Sequence, residues 1–223
     1  MKAYTLALCT CMGWFTACSP KTKPYKCGAV LSQKQIKKSF APLVKILGLK
    51  PGTTFADIGA SGGAYSVMIS TLTKGVTYYI QDIDTTCLNR QELDKVLAYY
   101  SQQSGVSLPK QNTYHLTIGG LRQTNLPTQT FDVIYTNATF HAFRYKKEMI
   151  ADIYQKLKPG GYLFIRDGLA TSDSPQNCPD KNCNAPFVQE KDLLTIVQSC
   201  RFRLIEKNKN FSGYPIFKFQ KDG

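Results

Sequence analysis

The chain has 223 residues, 43% hydrophobic and 19% charged, which suits one α/β domain with a short extension and excludes a globally disordered chain. Lys and Arg outnumber Asp and Glu by 28 to 15, a formal net charge of +13, and no acidic residue precedes Asp57. A stretch of one sign suits a solvated basic face first, and it could also meet anionic lipid headgroups or nucleic-acid phosphates.

Residues 1–18 read as a targeting leader. Met1-Lys2 gives a short cationic start, and residues 3–17 form a mostly apolar run too short to span a bilayer. Phe15-Thr16-Ala17-Cys18 resembles a bacterial lipobox, in which Cys18 would carry lipid and anchor the chain to an envelope membrane. Phe15, where Leu is usual, and Cys9, Thr10 and Cys11 inside the apolar run depart from that pattern. Residues 19–31 are rich in Lys and Pro and read as a tether, leaving residues 32–223 as the folded domain.

Ser32 can cap a helix running to about residue 47, with Ile36, Phe40, Leu43, Val44 and Leu47 on one face and a kink predicted at Pro42. Gly48 and Pro51-Gly52 break it, and residues 53–58 form a short apolar strand. Helices at 64–73, 87–104 and 146–157 then alternate with strands at 76–80, 113–118, 131–136 and 162–166. A polar loop at 168–186 leads to a last helix at 189–200. Strands at 202–207 and 215–219 close the chain as a hairpin through 208–213. This alternation of helices with near-continuously apolar strands predicts a doubly wound, mostly parallel sheet covered on both faces, the hairpin adding one antiparallel strand.

Outside the leader, the close cysteine pair is Cys178 and Cys183, at C-x4-C spacing. Two zinc ligands would suit that spacing, but no second pair or histidine lies near, so a local disulfide in an oxidising compartment is the preferred reading and no metal is expected.

Chemistry concentrates at the end of the first predicted strand, in Asp57-Ile58-Gly59-Ala60-Ser61-Gly62-Gly63. Glycines there let the backbone approach a ligand and offer it free amides. About 20 residues on, Asp82 ends the second strand, where a carboxylate can accept both hydroxyls of an adenosine ribose. These two features leave NAD and S-adenosylmethionine open. Gly59 to Gly63 also satisfies G-x-S-x-G, the elbow of serine hydrolases, but a single helix precedes it and no histidine follows His141.

Four segments in order resemble class I S-adenosylmethionine-dependent methyltransferases of the small-molecule, type 11-like kind. Residues 49–66 resemble the family's D/E-x-G-x-G-x-G motif, and Tyr79-Ile-Gln-Asp-Ile-Asp84 its second motif. Residues 126–141 are similar to its fourth strand with trailing Asn and His, and Leu157-Lys-Pro-Gly-Gly-Tyr-Leu-Phe-Ile165 to the turn into its fifth. The resemblance covers about residues 35–220. It implies a Rossmann-like, seven-stranded sheet, S-adenosyl-L-methionine as cosubstrate, and transfer of its methyl group to an acceptor, with a small molecule favoured.

Carried over by position, the resemblance implies that Asp57 orients the turn or holds the methionine ammonium, and that Gly59, Ser61 and Gly63 wrap the methionine and ribose. Asp82 would take the ribose hydroxyls, with Asp84 as its substitute, and Gly120 and Leu121 would border the adenine. Two positions depart from the pattern. Ser61 replaces the central glycine, and Gly120 stands where an Asp usually accepts from the adenine amino group, a loss on the order of 1 kcal/mol. For an acceptor that must lose a proton, His141 is the candidate general base. Asn137 is a second catalytic candidate, because Asn137-Ala-Thr-Phe140 lies where amino-methylating enzymes carry N-P-P-F/Y. Tyr135 and Asp167 are further pocket residues. An RNA or DNA methyltransferase stays open on the +13 charge. So does a non-catalytic nucleoside-binding lipoprotein, because S-adenosylmethionine is made in the cytosol and the leader points to the envelope.

Overall fold

The computed structural model describes residues 23–171, 185–211 and 213–222. The expected leader with its Cys18 and the Cys178–Cys183 pair lie outside the described residues.

Helix α1 (Gln33–Leu47) starts with a capping box. The Ser32 hydroxyl accepts from the Gln35 amide while the Gln35 side chain accepts from the Ser32 amide. Ile36, Phe40, Leu43 and Leu47 are buried along one face. The helix continues through Pro42 and ends at Gly48, whose φ of 66° glycine adopts without strain. There follow β1 (Thr54–Ile58), α2 (Ala64–Ser70), β2 (Thr77–Asp82), α3 (Arg90–Ser104), α4 (Leu108–Gln111) and β3 (Thr113–Ile118). The second half contains β4 (Phe131–Asn137), α5 (Lys146–Lys156), β5 (Leu157–Arg166), α6 (Glu190–Ser199), β6 (Phe202–Phe211) and β7 (Tyr214–Lys221).

The strands form one sheet in the order β3-β2-β1-β4-β5-β7-β6. Strands β1 to β5 pair in parallel, and β7 is antiparallel to both β5 and β6. Side chains alternate between faces along each strand. Phe55, Tyr78, Tyr135 and Phe164 pack into the core shared with α1, α2 and α3, whereas Ile58, Ile134, Leu163 and Ile165 pack with α5 and α6. The sheet is the one the sequence predicts, including its single antiparallel strand.

The differences are local. Helix α3 begins at Arg90 rather than 87, because the Asn89 side chain accepts from the Glu92 amide and caps it there. Residues 83–89 are therefore a loop beside the first strands' ends. Strand β5 already starts at Leu157, which pairs with Phe131. Helix α4 has four residues, too few for any periodic signal.

Residues 23–31 do not form a free tether. Tyr25 is buried, donates to the Ala29 carbonyl at 2.5 Å and hydrogen bonds the Tyr100 hydroxyl at 2.9 Å. A disulfide joins Cys27 to Cys87, 60 residues apart. Closing a loop of that length stabilises the fold by about 4 kcal/mol in the chain-entropy picture. Burial of the Tyr25 ring and this crosslink turn the segment into a strap across α3 and the start of α2.

Candidate active site

The strand order reverses between β1 and β4, so a crevice opens at their carboxyl ends. The glycine-rich turn fills its lip. Gly59 and Ala60 donate their amides to the Gln81 carbonyl at 2.9 and 3.0 Å, which ties the turn to β2. Gly59 has φ 74°, and a Cβ there would stand 2.2 Å from Thr139 Cγ2, so no other residue fits without moving the β4 loop. Ser61 has φ 51°, the left-handed region, at a cost on the order of 1 kcal/mol for a residue with a Cβ. The departure at Ser61 is thus backbone strain.

The Ser61 amide donates to Asp82 Oδ2 at 2.6 Å, and the amides of Ile83 and Asp84 donate to Oδ1 at 2.7 and 2.9 Å. A carboxylate offers about four acceptor positions. One stays available to a ligand hydroxyl, and a second hydroxyl must share Oδ2 with the Ser61 amide. Asp84 does not line the cavity; its carboxylate accepts from the Thr86 hydroxyl and, at 2.8 Å, from the Thr86 amide, and these hydrogen bonds hold its pKa below the ordinary range.

That cavity, about 530 Å³, is lined by Gly59, Ser61, Asp82, Gly120, Leu121 and His141, with Ile58, Ile83, Thr139, Phe143 and Met149 among its other walls. Ile83 and Leu121 are 51% and 48% exposed and offer apolar surface to a flat apolar ligand. A Cβ on Gly120 would meet only the Gln123 carbonyl, at 3.9 Å, so packing does not forbid the missing carboxylate. Gly119 differs: its Cβ would strike Gln81 Nε2 at 2.1 Å.

His141 follows β4 on a single 3-10 turn (Phe140–Ala142) and is 2% exposed. Its amide donates to Asp167 Oδ2 at 2.9 Å, and its Nδ1 lies 2.7 Å from Asp167 Oδ1. The Gly168 amide also donates to Oδ1, at 2.7 Å, and Lys146 Nζ donates to the His141 and Phe143 carbonyls at 2.8 Å each. In the tautomer whose Nδ1–H donates to the carboxylate, Nε2 is the basic nitrogen of the neutral ring. Asn137 and Arg166 are register partners on adjacent strands, which brings the segments just beyond both ends close together.

A family model for the methyltransferase domain matches residues 56–163, the span holding the glycine turn, Asp82 and His141. Over this span the chain is similar to S-adenosylmethionine-dependent methyltransferases. It is 22% identical over 151 residues to arsenite methyltransferase of Mus musculus, covering 66% of this chain and 40% of that protein. It is 25% identical over 139 residues to a malonyl-(acyl-carrier protein) O-methyltransferase of Calditerrivibrio nitroreducens, covering 62% and 47%. The chain thus spans less than half the length of either relative. A solved S-adenosylmethionine-dependent methyltransferase from Methanosarcina mazei shares the fold with TM-score 0.61 and 15% identity, over 81% of this chain and 97% of that one.

Three residues expected at the site do not line this cavity. Gly63 packs α2 on the sheet: a Cβ there would stand 3.0 Å from Ile80 Cγ2 and 3.2 Å from Leu93 Cδ1. Asp57 and Asn137 line a smaller cavity, about 250 Å³, with Tyr65, Tyr135 and Arg166. Along β1 and β4 the period of two places them on the face opposite Ile58 and Thr136. Asn137 accepts from Arg166 Nη1 at 2.6 Å. Asp57 is buried and accepts from the Ser66 hydroxyl at 2.5 Å. Burial pushes its carboxyl up to about 6, against the Ser66 hydrogen bond, with the Asp82 charge adding to the rise.

Proposed function

We propose that this chain moves a methyl group from S-adenosyl-L-methionine to a compact small-molecule acceptor, with His141 as general base and Asp167 orienting it. The observation that carries the reading is the 530 Å³ cavity at the β1–β4 reversal, which gathers the glycine turn, Asp82 and His141. The residues present fit the nucleoside. Asp82 accepts hydroxyls, Ile83 and Leu121 offer apolar surface to the adenine, and Gly59 lets the backbone come close. Bound S-adenosylmethionine supplies a sulfonium methyl open to direct displacement. The protein's part is then to hold the acceptor in line, exclude water and receive a proton. His141 would take the proton that a hydroxyl, thiol or amine acceptor loses, and Asp167 would stabilise the imidazolium.

The relatives support a small acceptor, since their names specify arsenite and a malonyl group on a carrier protein. A leader with lipid on Cys18 remains our reading for residues 1–18, and the Cys27–Cys87 disulfide supports an oxidising compartment such as a bacterial envelope. Mass spectrometry of the native N-terminus tests this, and an intact Met1 would contradict it. For the activity, the test is calorimetry with S-adenosylhomocysteine on the wild type and Asp82→Ala. One-site binding that the variant weakens at least about tenfold, some 1.4 kcal/mol, is expected. Equal binding by both would remove Asp82 from the site.

A further inference from the structure

The disulfide does not stand at a remote edge of the fold. A Cβ built on Gly62, inside the glycine turn, would lie 3.1 Å from both Cys27 Cβ and the Cys27 carbonyl oxygen, and 3.4 Å from the Cys87 carbonyl oxygen. The bridge is therefore seated against the turn itself. Its second cysteine closes the loop that begins at Asp82. The Cys87 amide donates to the Asp84 carbonyl at 3.2 Å, the Asp84 amide donates to Asp82 Oδ1 at 2.9 Å, and Asp82 Oδ2 accepts from the Ser61 amide. One connected path thus runs from the sulfurs through the Asp82 carboxylate and back into the turn.

The strap reaches the same turn from the other side. Gly28, at φ 100°, passes so close to α2 that a Cβ on it would stand 2.7 Å from Ala64 Cβ, one residue beyond Gly63. The Lys26 amide donates to Glu92 at 2.9 Å and the Leu31 amide to the Tyr100 hydroxyl at 3.2 Å. Cys27 and Cys87 are both half-buried.

We propose that the Cys27–Cys87 disulfide is a redox clasp on the nucleoside site: closed, it holds the strap and the 83–87 loop against the glycine turn, and opened, it lowers affinity for S-adenosyl nucleosides. This inference rests on the methyltransferase reading of that site. Opening proceeds by thiol exchange. A small thiolate attacks one sulfur and expels the other as thiolate, and a second thiol then displaces the mixed disulfide. The two cysteines gain two electrons and two protons, and two small thiols become one disulfide. Affinity and redox state are then linked reciprocally. The factor by which closure tightens binding equals the factor by which the bound nucleoside protects the disulfide from reduction.

The test is calorimetry of the full chain with S-adenosylhomocysteine, oxidised and after dithiothreitol, beside the Cys27→Ser/Cys87→Ser double variant. Reduction is expected to weaken binding by the wild type by about fivefold or more, within the usual range of coupling between sites. The double variant should bind like the reduced wild type and ignore dithiothreitol, which separates this bridge from the other cysteines. S-adenosylhomocysteine should raise the dithiothreitol ratio needed for half-reduction by the same factor. Should the double variant fail to fold, the reduced wild type alone decides. Equal affinity before and after reduction, with mass spectrometry showing the bridge open, overturns the clasp and leaves the methyltransferase reading standing. Absence of binding by the oxidised protein overturns that reading itself.

Discussion

The Asp167 carboxylate receives the backbone amide of His141 at 2.9 Å and its ring Nδ1 at 2.7 Å, so one acid fixes both the position and the tautomer of the histidine. Both residues are buried at the carboxyl ends of neighbouring strands, and His141 lines the candidate site. If His141 is the base, His141→Gln lowers kcat on the natural acceptor by about 100-fold or more and leaves S-adenosylhomocysteine affinity within about threefold. Asp167→Asn should follow with a smaller loss. Unchanged turnover in both variants would make the pair purely structural.

Ser61 holds φ 51° where glycine would be unstrained. Ser61→Gly is expected to stabilise the fold by up to roughly 0.5 kcal/mol, strain on the order of 1 kcal/mol being partly offset by the extra freedom of an unfolded glycine. Its amide still reaches Asp82, so nucleoside affinity should hold or rise. A fall in the urea midpoint would contradict the strain reading.

Open space at Gly120 makes the missing adenine contact restorable. Gly120→Asp should tighten S-adenosylhomocysteine binding by about fivefold, near 1 kcal/mol for one hydrogen bond. The gain should vanish with the inosine analogue, which lacks the amino group. An equal gain with both ligands would mean that the carboxylate acts by some other route.

Asp57 gives the pH prediction. Its folded-state value is raised to about 6 by burial, so between pH 4 and 6 the native state holds a proton that the unfolded chain has lost. Stability therefore falls as pH rises through that window, and at pH 7.5 the buried carboxylate costs on the order of 2 to 3 kcal/mol. Asp57→Asn should raise Tm at pH 7.5 and flatten the dependence between pH 4 and 6. A lower Tm at pH 7.5 would show that the Ser66 hydrogen bond outweighs desolvation.

What the sequence made legible was local or periodic. Ser32 marked the first helix, the apolar runs marked the parallel strands, and Asp57 to Gly63 with Asp82 marked the crevice. What it hid were contacts set by tertiary placement. Cys27 and Cys87 carry no spacing signal across 60 residues, so the nearer Cys178 and Cys183 drew the disulfide reading instead. Tyr25 looked like part of a Lys- and Pro-rich tether because a single buried ring has no period. Motif order groups Asp57 and Asn137 with Gly59 and His141, but it does not show that the first two face α1 and α2 while the other two line the cavity beyond the strand ends.

On the proposed reading, the cavity between the glycine turn, Asp82 and Leu121 binds S-adenosyl nucleosides. Calorimetric titration of the oxidised full chain with S-adenosylhomocysteine should show one-site binding that Asp82→Ala weakens by about tenfold or more. No heat of binding from folded protein at about 1 mM ligand, a level where even a weak site of about −4 kcal/mol is half filled, would contradict it.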